Sequence, residues 1–142
     1  MIYGLGLTEE QVRGDRFADW PKDLKNCTDV MGLTNPDAIV GIHRQYLEAG
    51  ADIIETNTFN ASPVGLADFD FDADVVREIN RAAVANARKA ADEMTALTPD
   101  RPRFVAGSIG PTSQQTAIST NVEDPGWRGT TFEEMEESYY VQ

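Results

Sequence analysis

Basic residues, cysteine, histidine and long apolar runs are all scarce in this chain of 142 residues. Twelve Lys and Arg stand against 24 Asp and Glu, so the net charge is −12. This balance argues against nucleic acid and anionic membrane surfaces as partners, because both require clustered basic side chains. No apolar run approaches the roughly 20 residues that span a bilayer. The first residues, Met1–Gly4, lack the basic start and apolar core of a signal peptide.

The single cysteine, Cys27, excludes an internal disulfide framework and fits a reducing, cytoplasmic compartment. A tetrahedral zinc site needs more ligands than Cys27 and the single histidine, His43, can supply. We therefore expect a buried Cys27, a packed or hydrogen-bonded His43, and no metal held by residues of this chain. Neither a Ser-His-Asp nor a Cys-His mechanism has distinguishing support, and no catalytic residue is assigned.

The most informative segment is an apolar run that ends in polar residues, Gly50–Phe59. It predicts a buried parallel strand over 52–56, and ligands of β/α folds bind at the carboxyl ends of such strands. The side chains delivered at this end are Glu55, Asn57 and Thr58. They either line a ligand pocket or only cap the strand and satisfy local backbone groups.

A second run of the same design predicts another strand over 103–109, which leaves through a glycine-rich turn. Glycine in such a turn permits close approach of the main chain or a positive φ. The turn either shapes a pocket shared with the first strand or is only a tight exit. Its candidate pocket residues are Gly107, Gly110, Pro111 and Thr112.

A helix is predicted between Pro36 and a left-handed turn at Gly50, with a capping side chain at Thr34 or Asn35. Its apolar positions follow helical spacing. They are Ile39, Ile42, Tyr46 and Leu47.

Two more helices are predicted downstream. Asp72 or Asp74 caps one that runs to about Met94 and carries a stripe of small and apolar residues, which suits packing on a sheet. Thr131 and Glu134 form a capping box that opens the other. The stripe consists of Val76, Ile79, Ala83, Ala87, Ala90 and Met94.

Several separate motifs occur here in the order and spacing of one protein family. They are Arg-Phe-Ala-Asp-Trp at 16–20, the segment 43–46, Gly50–Phe59, and the glycine-rich segment 105–112. Through them the chain resembles, over essentially all 142 positions, the N-terminal homocysteine-binding domain of cobalamin-dependent methionine synthase. The Phe-Ala-Asp-Trp run favours this branch over betaine-type homocysteine methyltransferases.

The resemblance implies an α/β fold, a (β/α)₈ TIM barrel that binds homocysteine and holds zinc through three cysteine thiolates. Zinc lowers the pKa of the homocysteine thiol, so that the thiolate can take a methyl group from methylcobalamin and give methionine. The three cysteines and the opening Asp-Gly-Gly/Ala-Met-Gly-Thr strand of the family are missing here. Because such a barrel needs about 250 residues, we expect about two strands and two to three helices of its N-terminal half, truncated at both ends.

The expected organisation is one partial barrel domain over 1–142, with an N-terminal loop region over 1–35 and successive α/β units over 36–142. In a full enzyme this part would supply some of the homocysteine-binding rim, beside separate cobalamin and folate modules. Trp127, in the long polar segment 111–129, would cover the pocket, meet the cobalamin module or only anchor a turn.

The isolated chain is expected to lack activity and to be unstable, aggregated or oligomeric, because its strand edges are unpaired. The alternative function is a non-catalytic binding or assembly fragment. It would need a partner chain that carries the rest of the barrel and the zinc cysteines.

Overall fold

The centre of the computed structural model, which describes residues 1–119 and 121–142, is a pair of parallel strands. Strand β1 (Ile53–Glu55) pairs with β2 (Phe104–Ala106), in a register that aligns Ile54 with Val105. Both predicted strands and their parallel direction are therefore confirmed. Each regular strand is shorter than the apolar run that predicts it.

Single hydrogen bonds extend the pairing by one residue beyond the two ends of β1. The amide of Phe104 donates to the carbonyl of Asp52 at 2.9 Å, and the amide of Thr56 donates to the carbonyl of Ala106 at 3.0 Å. Since parallel strands alternate the direction of their main-chain groups, the amides and carbonyls of Ile53 and Glu55 point to the other edge of β1.

The described part of the chain contains five α-helices. They are α1 (Glu9–Arg13), α2 (Met31–Thr34), α3 (Pro36–Glu48), α4 (Ala73–Leu97) and α5 (Phe132–Val141). Of these, α3 and α4 pack on the strands. Helix α4 is the crossover that allows β1 and β2 to run parallel. The first 35 residues consist of α1, α2 and three short 3₁₀ turns, joined by loops. None of the described helices combines the length and apolarity needed to cross a membrane.

Helix α3 begins at Pro36 as predicted, but the predicted side-chain cap is wrong. Asn35 holds the N-cap position without a capping hydrogen bond. Its amide group donates instead to the carbonyl of Gln11 at 2.6 Å. Asn35 therefore ties α3 to α1 and leaves the first turn of α3 without a side-chain acceptor.

The carboxyl end of α3 closes with the glycine turn that the sequence predicts. Gly50 has a φ of +105°, and its amide donates to the carbonyl of Leu47 at 3.0 Å. The amide of Ala51 donates to the carbonyl of Tyr46 at 3.1 Å, which completes a Schellman motif. This tight closure lets β1 begin only a few residues after α3 ends.

The predicted caps of the other two long helices are confirmed. Asp72 accepts a hydrogen bond from the amide of Val75 at 2.8 Å, and α4 then runs one turn past Met94. Thr131 and Glu134 form both hydrogen bonds of the capping box at the start of α5.

One face of the sheet is packed and the other is bare. Ile54 and Val105 lie against the buried stripes of α3 and α4. On the opposite face Ile53 is 62% exposed and Phe104 is 56% exposed. The stripe predicted on α4 is confirmed as buried, with Met94 only partly so, and α3 supplies Val40 and Leu47 to the same cluster.

Tyr46 departs from the predicted apolar stripe of α3, because half of its surface is exposed. Ile42, beside it, is only partly buried. Both side chains line a groove along the free edge of β1 and do not enter the core.

A second cluster joins the N-terminal segment to the first half of α4. The rings of Phe17, Trp20 and Phe71 lie 5.1–5.6 Å apart, and the indole of Trp20 donates to the carbonyl of Phe69 at 2.8 Å. Ile79 of α4 packs fully buried into this cluster. The N-terminal segment is therefore held against the helix that connects the two strands.

We expect the substitution Ile79→Ala to lower the free energy of unfolding by about 3 kcal/mol, because it leaves a cavity among fully buried side chains. The matched control is Val84→Ala on the exposed side of the same helix, with an expected change under about 0.5 kcal/mol. Urea-induced unfolding measures both. Equal shifts for the two variants would contradict this packing.

Candidate functional site

Buried hydrogen bonds join the exits of the two strands. The hydroxyl of Thr58 donates to the carbonyl of Ser108 at 2.8 Å, and the amide of Ser108 donates to the hydroxyl of Thr56 at 3.0 Å. The two threonine hydroxyls lie 2.7 Å apart. Because the proton of Thr58 is used on Ser108, Thr56 donates to Thr58 and the ring of hydrogen bonds is closed.

This ring limits the hydrogen bonds that the hydroxyl of Thr58 can offer to a ligand. Thr58 is 4% exposed, and both its donor and an acceptor position are used within the protein. The structure therefore places Thr58 inside the wall beneath the rim. The sequence pattern includes Thr56 and Ser108 in the two apolar runs but gives no sign that they meet, because that depends on the strand register.

Glu55 lies on the bare face of the sheet, with its carboxylate open to solvent. The hydroxyl of Ser108 donates to Oε2 of Glu55 at 3.3 Å. One carboxylate oxygen is thus held from the neighbouring strand exit, and the group keeps further acceptor capacity toward solvent. Of the predicted residues, Glu55 offers the clearest negative charge to a ligand.

Asn57 faces the N-terminal segment. Its amide group donates to the carbonyl of Thr28 at 2.7 Å, and the residue is half-buried. A second contact follows three residues later, where Asp29 accepts from the amide of Asn60 at 3.1 Å. Sequence reasoning missed Asp29, because nothing in its local pattern separates it from the many surface acids of the chain.

The glycine turn after β2 packs against the loop after β1 at Gly110. The amide of Gly110 donates to the carbonyl of Phe59 at 2.8 Å, and the hydroxyl of Tyr139 on α5 donates to the carbonyl of Gly110 at 2.9 Å. A Cβ added at Gly110 would lie 2.5 Å from the carbonyl oxygen of Phe59. Close approach of the main chain, one of the two predicted uses of glycine here, is therefore found at Gly110.

The other predicted residues of this turn are placed differently. Gly107 and Pro111 are exposed, and a Cβ at Gly107 would meet open space. The hydroxyl of Thr112 donates to the carbonyl of Gln114 at 3.1 Å and lies 3.7 Å from the sulfur of Met135. Thr112 thereby connects the turn to α5.

Two cavities flank the joined exits, and four of the seven predicted residues line one or the other. A groove of about 390 Å³ beside β1 is lined by Glu55 and Asn57 together with apolar residues of α3. A cavity of about 370 Å³ beside β2 is lined by Thr58 and Gly107. The structure brings the two exits together but does not place all the candidates in one pocket.

Trp127 lies in a turn of the segment 111–129, of which residue 120 is outside the described residues. The amide of Trp127 donates to the carbonyl of Asp124 at 3.1 Å, and the amide of Gly126 donates to the carboxylate of Asp124 at 2.9 Å. The turn-anchoring alternative thus has a geometric basis. Cover of the pocket and contact with a cobalamin module stay predictions.

The residues of this chain do not fit a zinc site. Cys27 is buried, and desolvation raises the pKa of its thiol to about 12, which disfavours the thiolate that zinc binds. Residues 1–119 and 121–142 contain no group of three or more His, Cys, Asp or Glu side chains arranged to hold a metal ion.

His43 is packed as predicted and only 6% exposed, and its Nε2 has no hydrogen-bond partner among residues 1–119 and 121–142. Burial lowers the pKa of its imidazole below the ordinary value of 6.5, because the charged form loses hydration. Between the lowered pKa and pH 6.5, His43 therefore binds a proton in the unfolded chain but not in the folded chain. This contribution to stability is complete above pH 6.5 and is lost as the pH falls through the folded pKa.

We expect a proton NMR titration of this single imidazole to give a pKa below 6.5, and urea titrations to show stability falling on acidification from that pH. The variant His43→Gln should lose this part of the pH dependence. A measured pKa of 6.5 or higher would contradict the burial of His43.

We expect Gly110→Ala to lower the free energy of unfolding by about 2 kcal/mol, because the new methyl group would meet the Phe59 carbonyl. Gly107→Ala is the matched control, since it adds the same atom in open space. Thermal and urea unfolding of both variants make the comparison. The packing is disproved if Gly110→Ala is as stable as Gly107→Ala.

Comparison with known proteins places this geometry in a family. The family model of homocysteine S-methyltransferase matches residues 5–142. The homocysteine methyltransferase MmuM from Escherichia coli is a structural neighbour in its metallated form, at 33% identity and a TM-score of 0.53, over 57% of this chain and 28% of that one. Its oxidised form matches at 31% identity and a TM-score of 0.55, over 61% of this chain and 30% of that one.

This chain thus spans less than a third of the length of the neighbour that it matches. The two parallel strands, the crossover helix and the neighbouring helices correspond to part of a TIM-barrel-like fold, which confirms the predicted fold class. With nearly all of its residues matched by the family model, the chain belongs to the homocysteine S-methyltransferase family.

Proposed function

We propose that these residues supply part of the homocysteine-binding rim of a methionine synthase, which transfers a methyl group from methylcobalamin to homocysteine. The observation that carries the proposal is the exposed Glu55 carboxylate, held by Ser108 at the joined carboxyl ends of β1 and β2. Such ends are where ligands bind in β/α barrels. The family match supports homocysteine as the methyl acceptor.

The chemistry of the rim suits the amino-acid end of homocysteine. The carboxylate of Glu55 complements the ammonium group, and a charge-assisted hydrogen bond between them would fix the orientation of the substrate. The loop after β1 is held from both sides, by Thr28 through the side chain of Asn57 and by Gly110 through the main chain of Phe59. Glu55 therefore has the role of a binding group and not of a proton-transfer group.

Methylcobalamin as the donor rests on the Phe-Ala-Asp-Trp run at 17–20 and on the other motifs shared with the cobalamin-dependent branch. Zinc, when bound by cysteines of the family, would activate the homocysteine thiol. Those ligands, and any cobalamin and folate modules, would come from outside these 142 residues. The domain organisation proposed is one partial barrel domain over 1–142, acting in the cytoplasm.

A second candidate is favoured by the bare face of the sheet. Ile53 and Phe104 expose apolar surface next to strand edges, and such edges pair readily with other chains. The 142-residue chain would then be a non-catalytic assembly fragment, completed by a partner chain that carries further strands and the zinc cysteines.

The test uses the protein as its gene encodes it. Methionine formation from homocysteine is measured with methylcobalamin or betaine as the methyl donor. We expect methylcobalamin to serve and betaine to fail. We expect Glu55→Gln to raise the KM for homocysteine at least about tenfold, because a charged hydrogen bond becomes a neutral one. Glu48→Gln, at an exposed carboxylate at the end of α3, is the control.

Each outcome has a distinct meaning. Use of betaine alone would overturn the cobalamin assignment and keep homocysteine as the acceptor. Unchanged kinetics for Glu55→Gln would remove Glu55 from the binding rim. If the protein forms no methionine from either donor until a second chain is added, the assembly role replaces the catalytic one.

A further inference from the structure

The peptide group between Phe59 and Asn60 is held at both of its polar ends. Its carbonyl accepts from the amide of Gly110 at 2.8 Å, and its amide donates to Oδ1 of Asp29 at 3.1 Å. One bond comes from the turn after β2 and the other from the N-terminal segment. This single peptide group therefore connects three parts of the chain directly above the strand exits.

Asp29 is an unusual residue for such a contact, because its side chain is 3% exposed. Burial raises the pKa of its carboxyl, although hydrogen bonds from Asn60 and Thr28 oppose the shift. Every ion pair found among the described residues involves other acids, so no basic side chain neutralises Asp29. A buried carboxylate without a basic partner weakens the fold, so stability alone does not account for it.

The residue before Asp29 makes a parallel contact. The carbonyl of Thr28 accepts from the amide group of Asn57 at 2.7 Å. Thr28 and Asp29 thus hold residues 57 and 60, on either side of Thr58. Fixing both ends of this short segment limits how far the loop after β1 can move from the strand exits.

We propose that Asp29 is a positioning residue of the homocysteine rim, which orders the Phe59–Asn60 peptide through its buried Oδ1. This inference rests on the proposed function, since the ordered segment is the one that follows Glu55. Asp29 does not touch the substrate. It acts through the loop main chain, and through the Gly110 turn that binds the same peptide group.

The experiment compares Asp29→Ala with Asp29→Asn in the protein as its gene encodes it. Alanine removes the acceptor, whereas asparagine keeps an oxygen that can accept from the Asn60 amide. Asp15→Ala is the matched control, because Asp15 is an exposed acid of the same N-terminal segment and lies outside the Phe-Ala-Asp-Trp run. Two quantities are measured: hydrogen exchange of the Asn60 amide by NMR, and the kinetics with homocysteine.

We expect Asp29→Ala to speed exchange of the Asn60 amide about tenfold and to raise the KM for homocysteine about tenfold, with kcat within about twofold, as expected for the loss of one buried hydrogen bond. Asp29→Asn should restore both values, and Asp15→Ala should change neither. If the alanine variant loses its near-ultraviolet circular dichroism, Asp29→Ser takes its place, since its shorter side chain ends before the Asn60 amide.

Two results would overturn the positioning role. One is unchanged Asn60 exchange in the alanine or serine variant, and the other is faster exchange with an unchanged KM. Failure of the proposed function is distinguished from these, because the unsubstituted protein would then show no turnover of homocysteine while its Asn60 amide could still be followed.

Discussion

The buried ring of hydrogen bonds among Thr56, Thr58 and Ser108 is the interaction on which the rest of the rim depends. It forms where two strands of only three regular residues each end, so main-chain pairing alone contributes few bonds. The ring fixes the two exits at a set separation. The position of the Glu55 carboxylate depends on that ring, because the carboxylate accepts a hydrogen bond from the hydroxyl of Ser108. A buried polar cluster thus sets the separation of the strand exits within otherwise apolar surroundings.

Around this ring the chain uses its two layers for different purposes. Small side chains on α4 let the helix approach the sheet closely, and they bury Ile54 and Val105 on one face. The opposite face keeps Ile53 and Phe104 exposed beside Glu55. In a closed barrel, residues of that face fill the interior. The same alternation that creates the packed layer therefore also exposes the Glu55 carboxylate, which we propose binds the substrate.

Local signals predicted most of the fold. The caps at Asp72 and Thr131, the turn at Gly50 and the stripe on α4 are encoded by neighbouring residues, and the structure confirms them. The exceptions depend on contacts between distant segments. The side chain of Asn35 donates to the carbonyl of Gln11 and does not cap α3. Tyr46 lines a groove, which helical periodicity does not predict. Asp29 was missed for the same reason, because its partner Asn60 lies 31 residues away.

The burial of Cys27 makes its rate of alkylation a measure of local opening of the structure. A thiol whose pKa stands near 12 carries almost no thiolate at neutral pH, so alkylating reagents react with it only after the surrounding structure opens. Cys27 is two residues from Asp29 and belongs to the cluster that holds the N-terminal segment. Its alkylation rate therefore reports how often that segment moves away from the loop after β1. Alkylation of the chain's only cysteine thus measures the opening of the segment that supports the proposed binding surface.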